Sequence, residues 1–171
     1  TRLVSDWSSD VCSSDLPNFA PIPSAGAKFG SAVDLHGTGD GAWVLIGAPN
    51  TLVDPSPTPG DELANAGKIY LFKPAITPGT WEFGLSMESQ FPADGGLFGS
   101  VVDIWDNGTS QPSMLIGAPG EIPFSLRTGA VYLYQFNAGF PIAPPERFTP
   151  SDQQADMGFG AAIARGDSST T

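Results

Sequence analysis

The chain has 171 residues, and 18 acidic against 7 basic side chains give it a formal net charge of −11. So few cations cannot form the basic patch that phosphate contacts need, which argues against nucleic-acid binding, and no apolar run approaches the ~20 residues of a membrane span. With 21 Gly and 17 Pro, and no segment that keeps a helical period for three turns, the composition points to short strands and turns.

Residues 1–16 stand apart from the rest. Asp6-Trp7-Ser8-Ser9-Asp10-Val11-Cys12-Ser13-Ser14-Asp15-Leu16 resembles a translated sequencing-adapter oligonucleotide, and a disordered Ser/Asp-rich linker is the alternative. On the first reading the native N-terminus is missing, and the lack of a leader says nothing about secretion. Cys12 is the single cysteine, so no disulfide argument is available for residues 17–171.

From residue 29 the predicted elements follow in order. Phe29-Gly30 opens a half-buried strand through Val33 and Leu35. Val44 to Ile46 is a short apolar strand that ends in Gly47-Ala48-Pro49, where small side chains and then a missing backbone donor stop it. Gly67 starts a third strand, Ile69-Tyr70-Leu71-Phe72, and a fourth spans Thr80 to Phe91.

The same series is then written again. Phe98-Gly99, Met114 to Ile116 with Gly117-Ala118-Pro119, and Gly129 with Val131-Tyr132-Leu133-Tyr134 repeat it, with a weaker fourth strand around Glu146 to Thr149. A third copy opens at Phe159-Gly160. Phe29 and Phe98 lie 69 residues apart, and Phe98 and Phe159 lie 61 apart, so the unit is one four-stranded antiparallel sheet long. Three large phenylalanines cannot be covered by isolated sheets. The expectation is that sheets stack, each burying a face of the next and leaving the end faces bare.

Phe-Gly, Gly-Ala-Pro and Gly-x-Val/Ile-Tyr, in this order and twice in register, resemble the FG-GAP repeat of the integrin alpha-chain N-terminal β-propeller and its bacterial relatives. The resemblance covers residues 19 to 171. It implies an all-β fold in which 17–171 is a partial β-propeller, about two and a half four-stranded antiparallel blades of a seven-bladed ring. The repeats fall near 19–90, 91–147 and 148–171, the last truncated. It also implies a non-catalytic extracellular or cell-surface adhesion or protein-interaction scaffold, with the remaining blades of the parent chain as neighbours. An accessory propeller of a secreted, phospholipase-like hydrolase, with its catalytic domain elsewhere, is the alternative.

The family often carries calcium between the first two strands of a blade, where alternating carboxylates and a turn glycine cage a hard cation. The corresponding candidates are Asp34 and Asp40 in one copy and Asp103, Asp106 and Asn107 in the next. Neither loop has a full ligand set, and Asp-Gly and Asn-Gly are also strong turn formers. Rim loops are the candidate ligand surface: Asp54, Asp61 and Glu62 in the proline-stiffened first loop, and Glu121, Phe124 and Arg127 in the second. Trp43, Trp81 and Trp105 read as sheet aromatics. Arg165-Gly166-Asp167 spells an integrin-recognised tripeptide, but its register places it at a strand exit, where Gly-Asp is turn chemistry. His36, the sole histidine, sits beside Gly37 in a predicted turn, and no Gly-x-Ser-x-Gly or His-Glu-x-x-His pattern occurs, so no enzyme is expected.

Overall fold

A computed structural model describes residues 23–56, 60–106, 112–137, 140–141, 144–152 and 154–166. Residues 1–16, Asn107 and Asp167 lie outside them. The first sheet is antiparallel, in the order β1 (Ala32–His36), β2 (Trp43–Ala48), β3 (Lys68–Pro74) and β4 (Trp81–Glu88). The second repeats it with β5 (Val101–Asp106), β6 (Pro112–Ala118) and β7 (Ala130–Asn137). In fourth position it carries two short strands on the outer edge of β7, β8 (Phe140–Pro141) and β9 (Glu146–Phe148).

The strands expected in the first two copies form and β8 is an addition, whereas the strand expected after Phe159-Gly160 does not form: residues 161–166 carry none, having no second strand beside them among the described residues. The weak copy around Glu146 to Thr149 becomes only the three-residue β9, because the chain first turns back through β8. Two short 3-10 turns, Gly39–Gly41 and Pro123–Ser125, are the only helical elements among the described residues. No helix there is long and apolar enough to cross a membrane.

Strand alternation gives each sheet two faces. The front face of sheet 1 carries Val44, Ile46, Tyr70, Phe72, Phe83 and, from the preceding turn, Phe29. Its back face carries Trp43, Leu45, Ile69, Leu71, Leu85 and Met87, and these pack on Val102, Ile104, Met114, Ile116, Tyr132 and Tyr134 of sheet 2. A bulge at Gly84, unpaired between Phe83 and Leu85, lets β4 follow the twist of β3. The front of sheet 2 therefore lies on the back of sheet 1, with β5 against β1 and β2.

Close approach requires glycine at the points of contact. A Cβ on Gly47 would lie 2.0 Å from the Gly99 carbonyl oxygen, and one on Gly67 would lie 2.1 Å from the Phe98 oxygen. One unit later the distances recur: 2.0 Å from Gly117 to the Gly160 oxygen, and 2.2 Å from Gly129 to the Phe159 oxygen.

The Phe-Gly step itself is a type II turn. Ser31, Ser100 and Ala161 donate N–H to the carbonyls of Lys28, Leu97 and Gly158, and Gly30, Gly99 and Gly160 have φ of 85°, 87° and 87°. The residue before each phenylalanine is also left-handed, at 55° for Lys28, 57° for Leu97 and 65° for Gly158. Lys28 and Leu97 hold a conformation that costs non-glycine residues energy.

Gly47→Ala is expected to lower stability by about 3 kcal/mol, at the upper end of overpacking costs, because the obstructing atom is backbone. Gly41→Ala, with no atom within 4 Å of the added carbon, is the matched control with little change. Urea unfolding midpoints of the two variants check this.

Candidate functional site

Strand order places the β2–β3 loop, the β6–β7 loop and the β4–β5 connection at one end of the sheets. Backbone hydrogen bonds join them: Gly95 N–H to Ala64, Leu97 N–H to Asn65 and Gly120 N–H to Gly96. Arg127 extends the joint by donating to the carbonyls of Gly95 (2.9 Å), Gly120 (2.7 Å) and Asp94 (3.0 Å). Asp94 in turn accepts the Ala64 N–H at 3.0 Å. The result is one continuous loop surface on a two-sheet frame.

Of the expected rim residues, the first loop keeps its acids in solvent. Asp54 accepts the Ser56 N–H at 3.1 Å and Glu62 accepts that of Gly60 at 3.1 Å, two local turns that leave the carboxylates outward, and Asp61 is exposed. The second loop differs. Arg127 is spent on carbonyls, Phe124 sits in the Pro123–Ser125 turn, and Glu121 is 1% exposed, inside the protein and not on a rim.

Glu121 holds a polar cluster between the sheets. Its carboxylate accepts from the Tyr132 hydroxyl at 2.6 Å, from the Ser89 hydroxyl at 2.9 Å and from the Arg147 guanidinium at 2.5 Å. Arg147 also lies 4.6 Å from the centre of the Phe91 ring and 5.9 Å from that of Tyr132. Burial, with the Glu121 charge next, pushes the Tyr132 hydroxyl far above its ordinary range, so it stays a donor to the carboxylate. The first unit has Thr51 in the same place, bonded to Tyr70. Sequence reasoning missed Ser89, Phe91 and Arg147; the Thr51-to-Glu121 change between the copies was the one visible signal.

The expected metal residues lie towards the other end of the sheets, Asp34 in β1 and Asp103 in β5. Asp34 accepts two backbone N–H groups, Leu35 at 2.9 Å and, across the sheets, Ile104 at 2.7 Å. Asp103 stands beside it, 3.9 Å from the Arg165 guanidinium, which in turn lies 5.3 Å from the centre of the Trp105 ring. Burial raises the Asp103 carboxyl above its usual value; Arg165 pulls it down, and Asp34 pushes it further up. Asp40 falls in the Gly39–Gly41 turn and Asp106 ends β5. Calcium takes six to eight oxygens, and among the described residues no three His, Cys, Asp or Glu side chains come together to supply them. Asp34 and Asp103 alone supply too few oxygens for a calcium cage, and the Asp34 carboxylate also meets the open edge of β5 at the Ile104 N–H.

Exposed apolar side chains also collect at the loop end. Leu52 is 48% exposed, Phe91 51%, Ile122 41% and Leu126 39%. They come from all three connections. No periodicity of residues marks them, since each lies in a connection and not in a strand. No family model and no curated protein matches this chain.

Glu121→Ala strands the Arg147 cation and is expected to cost about 3 kcal/mol, whereas Tyr132→Phe, losing one hydroxyl, costs about 1 kcal/mol; denaturant titration checks both. Asp103 gives a pH test. A carboxyl raised in the folded state costs nothing while protonated, and its penalty develops as pH rises through the unfolded and then the folded value. Asp103→Asn is therefore expected to raise the melting temperature at pH 7, with the gain vanishing towards acid, as melts across pH will show.

Proposed function

We propose that this chain is part of a non-catalytic extracellular interaction module of the FG-GAP type, whose loop end meets a protein or surface ligand. The carrying observation is the joined loop surface. Exposed acids (Asp54, Asp61, Glu62) and exposed apolar side chains (Leu52, Phe91, Ile122, Leu126) share it, and Arg127 and the backbone ladder hold it to a rigid frame. Loops held on a rigid scaffold are where recognition residues gather, and apolar groups kept in water there favour a protein partner.

The repeat reading is supported by backbone geometry. Three Phe-Gly turns share one φ pattern, and two share the same glycine-to-carbonyl contacts. Stacked antiparallel sheets with front-to-back packing suit a partial β-propeller, about two and a half blades of a seven-bladed ring. Adhesion at a bacterial cell surface is the setting this reading assigns. The polar side chains best placed for chemistry, Glu121 and Tyr132, are occupied by structural contacts.

Beads coated with the chain, applied to intact bacterial and eukaryotic cells, test the reading. Retention is expected on at least one cell type, and Leu52→Asp with Ile122→Asp is expected to reduce it roughly tenfold at unchanged melting temperature. No retention on any cell, or equal retention of both proteins, would overturn it.

A further inference from the structure

Both full units keep an aliphatic side chain in water at the same place. Thr51 and Glu121 donate N–H to the Ala48 and Ala118 carbonyls, each at 3.1 Å, so the chain leaves β2 and β6 through one kind of turn. After it, Thr51-Leu52-Val53 and Glu121-Ile122-Pro123 both run buried, exposed, buried. Leu52 is 48% exposed and Ile122 41%.

The neighbours, and not these two residues, hold the turns. The Thr51 hydroxyl donates to the Ala48 carbonyl at 2.8 Å, Val53 pairs with Leu63, and Glu121 binds Tyr132 and Arg147. Leu52 and Ile122 are left facing outward, where a polar side chain would serve the fold as well. A lone exposed aliphatic is ordinary, but one repeated at the same place in consecutive units forms a row. Phe91, whose N–H is held by the Ser89 hydroxyl oxygen beside Glu121, adds a half-exposed ring.

The polar groups around this row are of one sign. Asp54, Asp61, Glu62 and Asp94 are exposed in the same connections, and none of them enters an ion pair among the described residues. The cations nearby are taken: Arg127 by three carbonyls, Arg147 by Glu121 and Lys68 by Glu88. Lys28, in the turn ahead of β1, is the exposed exception and stands against all four acids. Such a rim repels an anionic lipid surface and the phosphates of a nucleic acid. It attracts a cationic partner that also offers apolar side chains.

We infer that the partner at the loop end is a basic amphipathic helix of another protein, laid across both units with its apolar stripe on Leu52 and Ile122 and its lysines or arginines beside the acids. The inference rests on the loop-end reading above and names the chemistry of the partner. Sheets packed face to face lie about 10 Å apart, so equivalent positions of the two units present apolar contacts at about that spacing. Residues i and i+7 on one face of a helix are about 10.5 Å apart. On a strand the positions of one face fall at about 7 and 13 Å and miss it. A helix thus reads two units with one stripe, and the acids fix it by its flanks.

The probe is a labelled synthetic helical peptide with a leucine stripe that includes i and i+7 and with lysine on both flanks, beside a copy with glutamate for lysine. Each is titrated into the chain by fluorescence anisotropy. The lysine peptide is expected to bind, more weakly as salt rises, and the glutamate peptide is not. Leu52→Ser with Ile122→Ser, at sites already in solvent, is expected to lower affinity at least about tenfold at unchanged melting temperature. So is Asp54→Asn with Asp61→Asn and Glu62→Gln, whose amide oxygens still accept the Ser56 and Gly60 N–H groups. Glu82→Gln with Asp106→Asn, at the far end of the sheets, is expected to change nothing, which separates a site from general attraction to a chain of net charge −11. No binding of the lysine peptide, equal binding of both peptides, or equal losses from charge changes at the two ends would overturn the inference. Bead retention on cells that neither salt nor the amide variant reduces would overturn the basic helix alone and leave the loop-end reading in place.

Discussion

A bare α-carbon facing a carbonyl oxygen sets the spacing on which the two sheets depend. At Gly47 and Gly67 the next unit's Phe-Gly turn comes so near that a methyl group would lie about 2 Å from its oxygens. That proximity lets Leu45 and Leu71 reach Met114, Ile116 and Tyr132 and lose all contact with water. A sheet held farther off would leave the same side chains without partners on one side. The glycines thus act through distance, and the apolar burial they permit supplies the stability.

Polar groups then decide how the sheets fit. Glu121 is fully buried, yet it accepts from Tyr132 and Ser89 and pairs with Arg147, so its charge is answered from both sheets. Thr51 and Tyr70 make a milder version in the first unit, with no ion pair. A buried pair adds little to stability over an apolar replacement, but one broken by misalignment is costly. The Glu121 cluster therefore penalises any other register of sheet 2 behind β4.

The two ends of the sheets are put to different uses. At one, Asp34 and Asp103 reach along the inner strands, and Asp34 gives the open edge of β5 a partner for its N–H. At the other, Arg127 fills the carbonyls of three connecting residues and frees the remaining side chains of those loops to face outward. Binding is proposed for the second end because its backbone is satisfied internally while Leu52, Ile122 and Leu126 are not covered.

Much of this architecture was legible in the residues alone. Alternation and punctuation placed the strands of the two full copies, since apolar period and turn glycines act over a few residues, and the repeat announced that two sheets would resemble each other. Of the three phenylalanines expected between sheets, Phe98 is buried there, whereas Phe29 packs on the front of sheet 1 and Phe159 stays 37% exposed. What the order of residues could not reveal was which loop side chains turn inward: Glu121 and Arg127 read as rim residues, but one is buried beneath Arg147 and the other is bound to carbonyls more than 30 positions away. How the aspartates of β1 and β5 stand to each other was likewise not legible, and came only with the two strands side by side, where Ile104 offers its N–H to Asp34. Local periodicity and turn chemistry determined the strands and their repetition by sequence alone. Only the tertiary structure decided what each polar side chain is for, because a buried charge takes its partner from whatever element folding brings beside it.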